Sequence, residues 1–234
     1  MKTRIKINGF IIFVSVMLIA LRPSFFLRTA AGTFDDWLKI LGMALLLSGL
    51  LLRVSSRGYK SEHSRSGFSL VLGGPYQVVR NPMYLGIFSS GAGIILLVFK
   101  WWIFYVFIIF MIARYVTLIV KEEKLLAQAF GEEYLAYQEK VPRLFPRFST
   151  LQARRISEYL PLRIRWIRRE ATSFIALPLL GLGIEWWEDA WLKKNASFMP
   201  GYAGLLAVVG LFILFTFFLA KKYETVSDKG KAPG

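Results

Sequence analysis

Residues 84–120 read YLGIFSSGAGIILLVF-K-WWIFYVFIIFMIARYVTLIV, two apolar runs divided by little more than Lys100. A helix needs about 20 mostly apolar residues to cross a bilayer, and each run meets or nearly meets that length. A connection this short makes them antiparallel neighbours at about the 8–10 Å separation of packed helices. Three further runs are of the same kind: 10–21, with a possible extension through Phe25, Phe26 and Leu27, then 37–52 and 202–219. Residues 172–187 are shorter and contain Pro178, so they span, kink or re-enter. The expected fold is an all-α integral membrane protein with about six transmembrane helices, five of them clear. Over half of the 234 residues are apolar and the mean hydropathy is +0.48, which leaves too little polar surface to cover so many apolar helices in water.

Charge orients these helices, because basic loops stay in the cytoplasm. Placing both termini, loop 53–83 and segment 121–171 on one side collects 23 of the 30 Lys and Arg residues there. Six of the seven tryptophans, all but Trp166, then fall at the far interface, where amphipathic rings prefer to sit. The net charge of +15 is accounted for by topology and by anionic headgroups, so the bilayer is the expected partner and nucleic acid is not. A bacterial inner membrane is favoured over the endoplasmic reticulum. The basic start and the small residues Thr29-Ala30-Ala31-Gly32 also fit a signal peptide, but Arg22, Pro23 and Arg28 favour an uncleaved span.

The chain has no cysteine, which excludes disulfides, thiolate metal sites and thiol nucleophiles. His63, the only histidine, stands among Ser61, Ser64 and Ser66 and reads as a solvated loop residue. No acidic pair has His or Cys at ligand spacing, so no metal site is expected. Arg114 lies within a span, where an ionisable residue is a functional candidate, although snorkelling to the interface serves equally. Glu185, Glu188 and Asp189 read as a far-side loop.

Two segments carry dense polar information. In Gly73-Gly74-Pro75-Tyr76-Gln77-Val78-Val79-Arg80-Asn81-Pro82-Met83-Tyr84-Leu85-Gly86, the glycines and proline make a turn. Asn81 is expected to cap the third span, with Pro82 as its first residue. Such a helix start beside Arg80 attracts carboxylate or phosphate; a plain, well-capped transmembrane helix is the simpler account. In the second segment, 121–148, helical periodicity carries the fourth span out of the bilayer past Glu122 and Glu123. Gly131 ends or bends it, and residues 132–140 form a second helix with Tyr134 and Tyr137 as neighbours. The Glu pair is either an ordinary solvated face or, with Arg80 and Asn81, one wall of a shared cleft.

The stretch Gly74-x-Tyr76-x-x-x-Arg80-Asn81-Pro82-x-Tyr84-x-Gly86, followed by Glu122-Glu123-x-x-Leu126, Phe130-Gly131-Glu132-Glu133-Tyr134-x-x-Tyr137 and Val141-Pro142-Arg143, resembles the isoprenylcysteine carboxyl methyltransferase family and its bacterial and phospholipid-methylating relatives. The resemblance covers roughly residues 68–148. It divides the chain into amino-terminal helices and a loop (1–67), a methyltransferase core (68–148) and a basic interfacial segment with a terminal transmembrane hairpin (149–234).

The resemblance implies an S-adenosylmethionine pocket at the cytoplasmic face, under a helical cap, with a lipidic or hydrophobic acceptor entering from the bilayer. It implies Arg80, Glu122 and Glu123 as catalytic residues. Gly74, Tyr76, Arg80, Asn81, Pro82, Tyr84, Gly86, Glu123, Tyr134, Tyr137, Pro142 and Leu144 would hold the cofactor. Arg80 and the helix start suit a carboxylate, Glu122 or Glu123 an ammonium, and the tyrosines with Pro142 and Leu144 an adenosine. Arg80 could instead fix an acceptor carboxylate, or a glutamate could take the proton of an acceptor amine. The family usually has His where Asn81 stands, so a histidine-dependent step is in doubt. A nicotinamide-dependent membrane reductase of the sterol-reductase type and a non-catalytic scaffold are the other readings. Residues 153–169, with six arginines among Ile156, Leu160, Ile164, Trp166 and Ile167, are expected to lie in the headgroup layer.

Overall fold

The computed structural model describes residues 23–27, 33–64, 69–147, 156–188 and 199–229. The described residues are helical apart from connecting segments and an isolated bridge between Leu27 and Phe99. The helices are α1 (Pro23–Phe26), α2 (Thr33–His63), α3 (Pro82–Val98), α4 (Trp101–Lys140), α5 (Ile156–Tyr159), α6 (Ile164–Arg169), α7 (Ala171–Glu188) and α8 (Met199–Lys229), with a 3-10 turn at Gly74–Gln77 between α2 and α3. Among the described residues, two helices, Trp37–His63 and Trp101–Lys140, are long and apolar enough to cross a membrane, and Pro82–Val98 is a shorter apolar helix. Helices α7 and α8 cover the expected runs 172–187 and 202–219. The expected first span, 10–21, and the Thr29–Gly32 site lie outside the described residues.

The expected α3–α4 hairpin forms, turning through Phe99 and Lys100, whose N–H donates to Phe26 O at 3.0 Å. The principal partner of α3 is nevertheless α2, through a seam of small residues. A Cβ on Gly93 would come 2.4 Å from Leu46 N and 2.5 Å from Gly42 O, and one on Gly49 would come 2.5 Å from Ser90 N and 2.6 Å from Gly86 O. Gly42 facing Gly93 and Gly49 facing Gly86 is an antiparallel register with a seven-residue repeat on each helix. Between such backbones packing rather than the hydrophobic effect supplies the adhesion in lipid, which is why small residues occupy the contact.

Loop 53–83 was expected from the point where apolarity ends, but α2 runs on as helix to His63. The polar extension is amphipathic, and tertiary contacts hold it. Ser55 Oγ donates to Pro161 O at 2.6 Å, and Trp166 Nε1 to Glu62 Oε1 at 2.8 Å. His63 therefore ends a helix, its ring stacked on Tyr59 at 3.9 Å between centroids. Within 153–169, the described residues do not simply float in a headgroup layer. Leu162 and Trp166 are buried, and the Trp166 ring occupies the place that a Cβ on Gly58 would fill. Arg114 is exposed on the outward face of α4.

Candidate functional site

The turn before α3 is built for close approach. Gly74 has φ +59°, a left-handed conformation that glycine adopts without a Cβ penalty, and the Tyr59 ring lies 3.0 Å from where its Cβ would be. Tyr76 is buried and accepts at its carbonyl from Tyr137 Oη at 2.6 Å; its own hydroxyl donates to Ser56 O at 3.4 Å. Burial, and secondarily the charge of Glu122, push the Tyr76 hydroxyl well above its ordinary pKa, so it remains a donor at neutral pH.

Beyond Gly131, whose φ of 52° breaks α4 as the sequence predicts, the chain turns and returns to the start of α3. Arg80 N donates to Pro142 O at 2.8 Å and Asn81 N to Arg143 O at 3.2 Å. These bonds consume N–H groups expected to face a ligand. Asn81 does occupy the N-cap position with Pro82 following, but its side chain makes no cap. Nδ2 instead donates to Glu123 Oε1 at 3.2 Å and to Arg143 O at 3.3 Å. The amide is oriented by its donation to a buried carboxylate, a charge-assisted bond, and in that orientation Oδ1 makes no cap.

Glu123 is only 5% exposed. Arg143 donates to it through Nη2 at 2.7 Å and Nε at 3.0 Å to Oε2, and Arg80 Nε stands 3.4 Å from Oε1. The Arg80 guanidinium also donates from Nη1 to Gln138 O at 3.4 Å, while its buried Nε has no hydrogen bond of good geometry. Glu122 faces a different set and is more open. Its Oε2 accepts from Tyr84 Oη at 2.9 Å, and Lys60 Nζ lies 3.4 Å from Oε1. Adjacent carboxylates thus divide the work: one is locked inside a clasp, the other lies at its partly exposed edge.

The structure brings together Tyr76, Arg80, Asn81, Tyr84, Glu122, Glu123 and Tyr137, and through the return segment Pro142. Tyr134 and Tyr137, 5.9 Å apart, are buried in a small core with Leu70, Leu72, Leu126 and Phe130, while Pro142 and Leu144 are half-buried. Gly86 is turned to α2, where a Cβ would meet Gly49 O at 2.8 Å and Arg53 N at 2.9 Å; it packs helices. Lys60 and Ser56 were missed because the extension of α2 was read as loop. The recurrence of Arg53, Arg57 and Lys60 at helical spacing is the signal that could have found them. Arg143 was quoted within a motif without a role.

Residues 37–133 match the family model described as phospholipid methyltransferase. This segment is similar to phospholipid methyltransferases. The match takes in α2 from Trp37, the Gly74–Gln77 turn, α3, and α4 past its kink, so it contains Lys60, Arg80, Asn81, Tyr84, Glu122 and Glu123 but stops before Tyr134 and the return segment. The similarity is thus to a family of membrane methyltransferases. No curated protein and no solved structure matches the chain.

Proposed function

We propose that the protein is a membrane-embedded, S-adenosylmethionine-dependent methyltransferase acting on a lipidic or hydrophobic small-molecule acceptor at the cytoplasmic face, both termini being cytoplasmic. The observation that carries this reading is the meeting of the α3 start with α4 inside the matched domain, through the Asn81–Glu123 and Tyr84–Glu122 bonds of 3.2 and 2.9 Å. The residues fit a zwitterionic nucleoside. The buried Arg80 Nε, without a hydrogen bond, stands 3.4 Å from Glu123, and the neighbouring carboxylate, Glu122, has a side chain 36% exposed.

Arg80 would receive the carboxylate and Glu122 the ammonium. Pro142 and Leu144 would border the adenosine, with Tyr134 and Tyr137 backing them from the core. When bound, S-adenosylmethionine supplies a methyl group on a sulfonium, ready for in-line displacement by an acceptor. Glu123 keeps Arg80 and Arg143 in place, and Tyr84 fixes the Glu122 carboxylate. Positioning of this kind can contribute about 7–11 kcal/mol toward a displacement barrier.

Calorimetry of the purified protein tests the reading. S-adenosylmethionine and S-adenosylhomocysteine are expected to bind and NADPH not to. Glu122→Gln is expected to weaken S-adenosylhomocysteine by about 10- to 100-fold, the worth of a hydrogen bond to a charged group, while Glu188→Ala leaves it unchanged. Binding of NADPH alone would replace the proposal with the reductase reading, and binding of none of the three with the scaffold.

A further inference from the structure

On a 100° helical wheel, Gly42, Gly49, Arg53, Ser56 and Lys60 form the stripe of α2 that faces α3 and the clasp. Leu47, Val54, Gly58 and Ser61 form another stripe, about 100–160° round the helix. Two cavities open along this second stripe. The upper, of about 280 Å³, is lined by Arg57, Ser61, Trp166, Arg169 and Glu170 among others. The lower, of about 300 Å³, is apolar and is lined by Leu47, Ile167, Leu179, Phe212 and Thr216 among others. Leu47 and Val54, seven residues apart, place the second cavity about 10 Å below the first, and α6 contributes to both, Trp166 and Arg169 above and Ile167 below.

We infer that these two cavities hold one anionic glycerophospholipid, its phosphate in the upper cavity and an acyl chain in the lower. The charge suits a phosphate. Glu170, the carboxylate in the upper cavity, is ion-paired to Arg53 at 3.3 Å and to Arg57. The Arg57 side chain is still 58% exposed, with N–H groups beyond the one facing Glu170, and Arg169 is exposed on the rim. The lower cavity has one polar feature. Thr216 is 2% exposed, and its Oγ1 has no hydrogen-bond partner among the described residues. A buried hydroxyl left unpaired is costly, and an ester carbonyl at the top of an acyl chain is an acceptor of the right chemistry. The inference rests on the chain's being a membrane protein and is independent of the methyl donor.

Native mass spectrometry of the full chain in detergent tests it, with dioleoylphosphatidylglycerol as the lipid, dioleoylglycerol as chains without phosphate, and glycerol phosphate as phosphate without chains. The phosphatidylglycerol is expected to bind, dioleoylglycerol to bind much more weakly, and glycerol phosphate to fail to displace the lipid. Arg57→Gln and Arg169→Gln should each weaken the lipid about fivefold, the equivalent of about 1 kcal/mol per basic residue near a membrane surface. Leu179→Trp, at a cavity residue that is 57% exposed and so tolerant of size, should weaken it too, and lipid-free unfolding temperatures of all three variants should stay near the parent's. Unchanged lipid binding in the variants, equal binding of dioleoylglycerol, or displacement by glycerol phosphate alone would overturn the assignment.

Discussion

Along its middle, α3 meets α2 backbone to backbone, at Gly86, Ser90 and Gly93, against Gly49, Arg53, Leu46 and Gly42. At its start the same helix is held to α4 through Arg80 and Asn81, which converge with Arg143 on a carboxylate sealed from solvent. The first contact is non-directional packing and tolerates no added volume. The second depends on charge and hydrogen-bond geometry, and it brings a desolvation penalty that only a complete set of partners offsets. The seam can therefore be rigid, whereas polar groups at the partly open edge beside the clasp can exchange partners, as a seam of glycines cannot.

This contrast is most sharply challenged by Glu123→Ala. Removing the carboxylate strands Arg80, whose side chain is 11% exposed, and breaking such a pair is expected to cost about 3–5 kcal/mol in chemical or thermal unfolding in detergent. A loss below about 1 kcal/mol would show that the clasp is water-filled. Gly93→Val adds atoms 2.4–2.5 Å from Leu46 and Gly42 backbone, and is expected to destabilise by about 1–3 kcal/mol through overpacking; an unchanged unfolding transition would mean that the helices separate freely. The smallest effect is expected from Lys60→Met. Lys60 and Glu122 side chains are 39% and 36% exposed, so a double-mutant cycle with Glu122→Gln should return less than about 1 kcal/mol of coupling. Coupling as large as the Glu123 effect would erase the distinction between the two carboxylates.

Much of this molecule is legible without coordinates. Apolar run lengths give helices α2, α3, α4, α7 and α8, a single lysine between two runs gives the hairpin, and Gly131 gives the break in α4. The motif residues Tyr76, Arg80, Asn81, Tyr84, Glu122 and Glu123 do meet. These features follow from local rules: an apolar run in lipid has to satisfy its own backbone, and a short connection leaves only one way to fold back.

The roles within the meeting point are another matter. Sequence could place Asn81 at a helix start but could not say that its amide would turn from the cap to a carboxylate 42 residues away. Nor could it tell Glu122 from Glu123, identical neighbours that one helical step of about 100° sends toward a partly open edge and a closed interior. The polar end of α2 read as loop because its helical form depends on Pro161, Arg163, Arg165 and Trp166, contacts more than 100 residues distant. Composition and spacing fixed the helices, because those depend on each residue's own transfer energy and on its nearest neighbours in the chain. Burial and partner choice were left to the tertiary structure, because the cost of an ionised or polar group depends on which distant groups surround it.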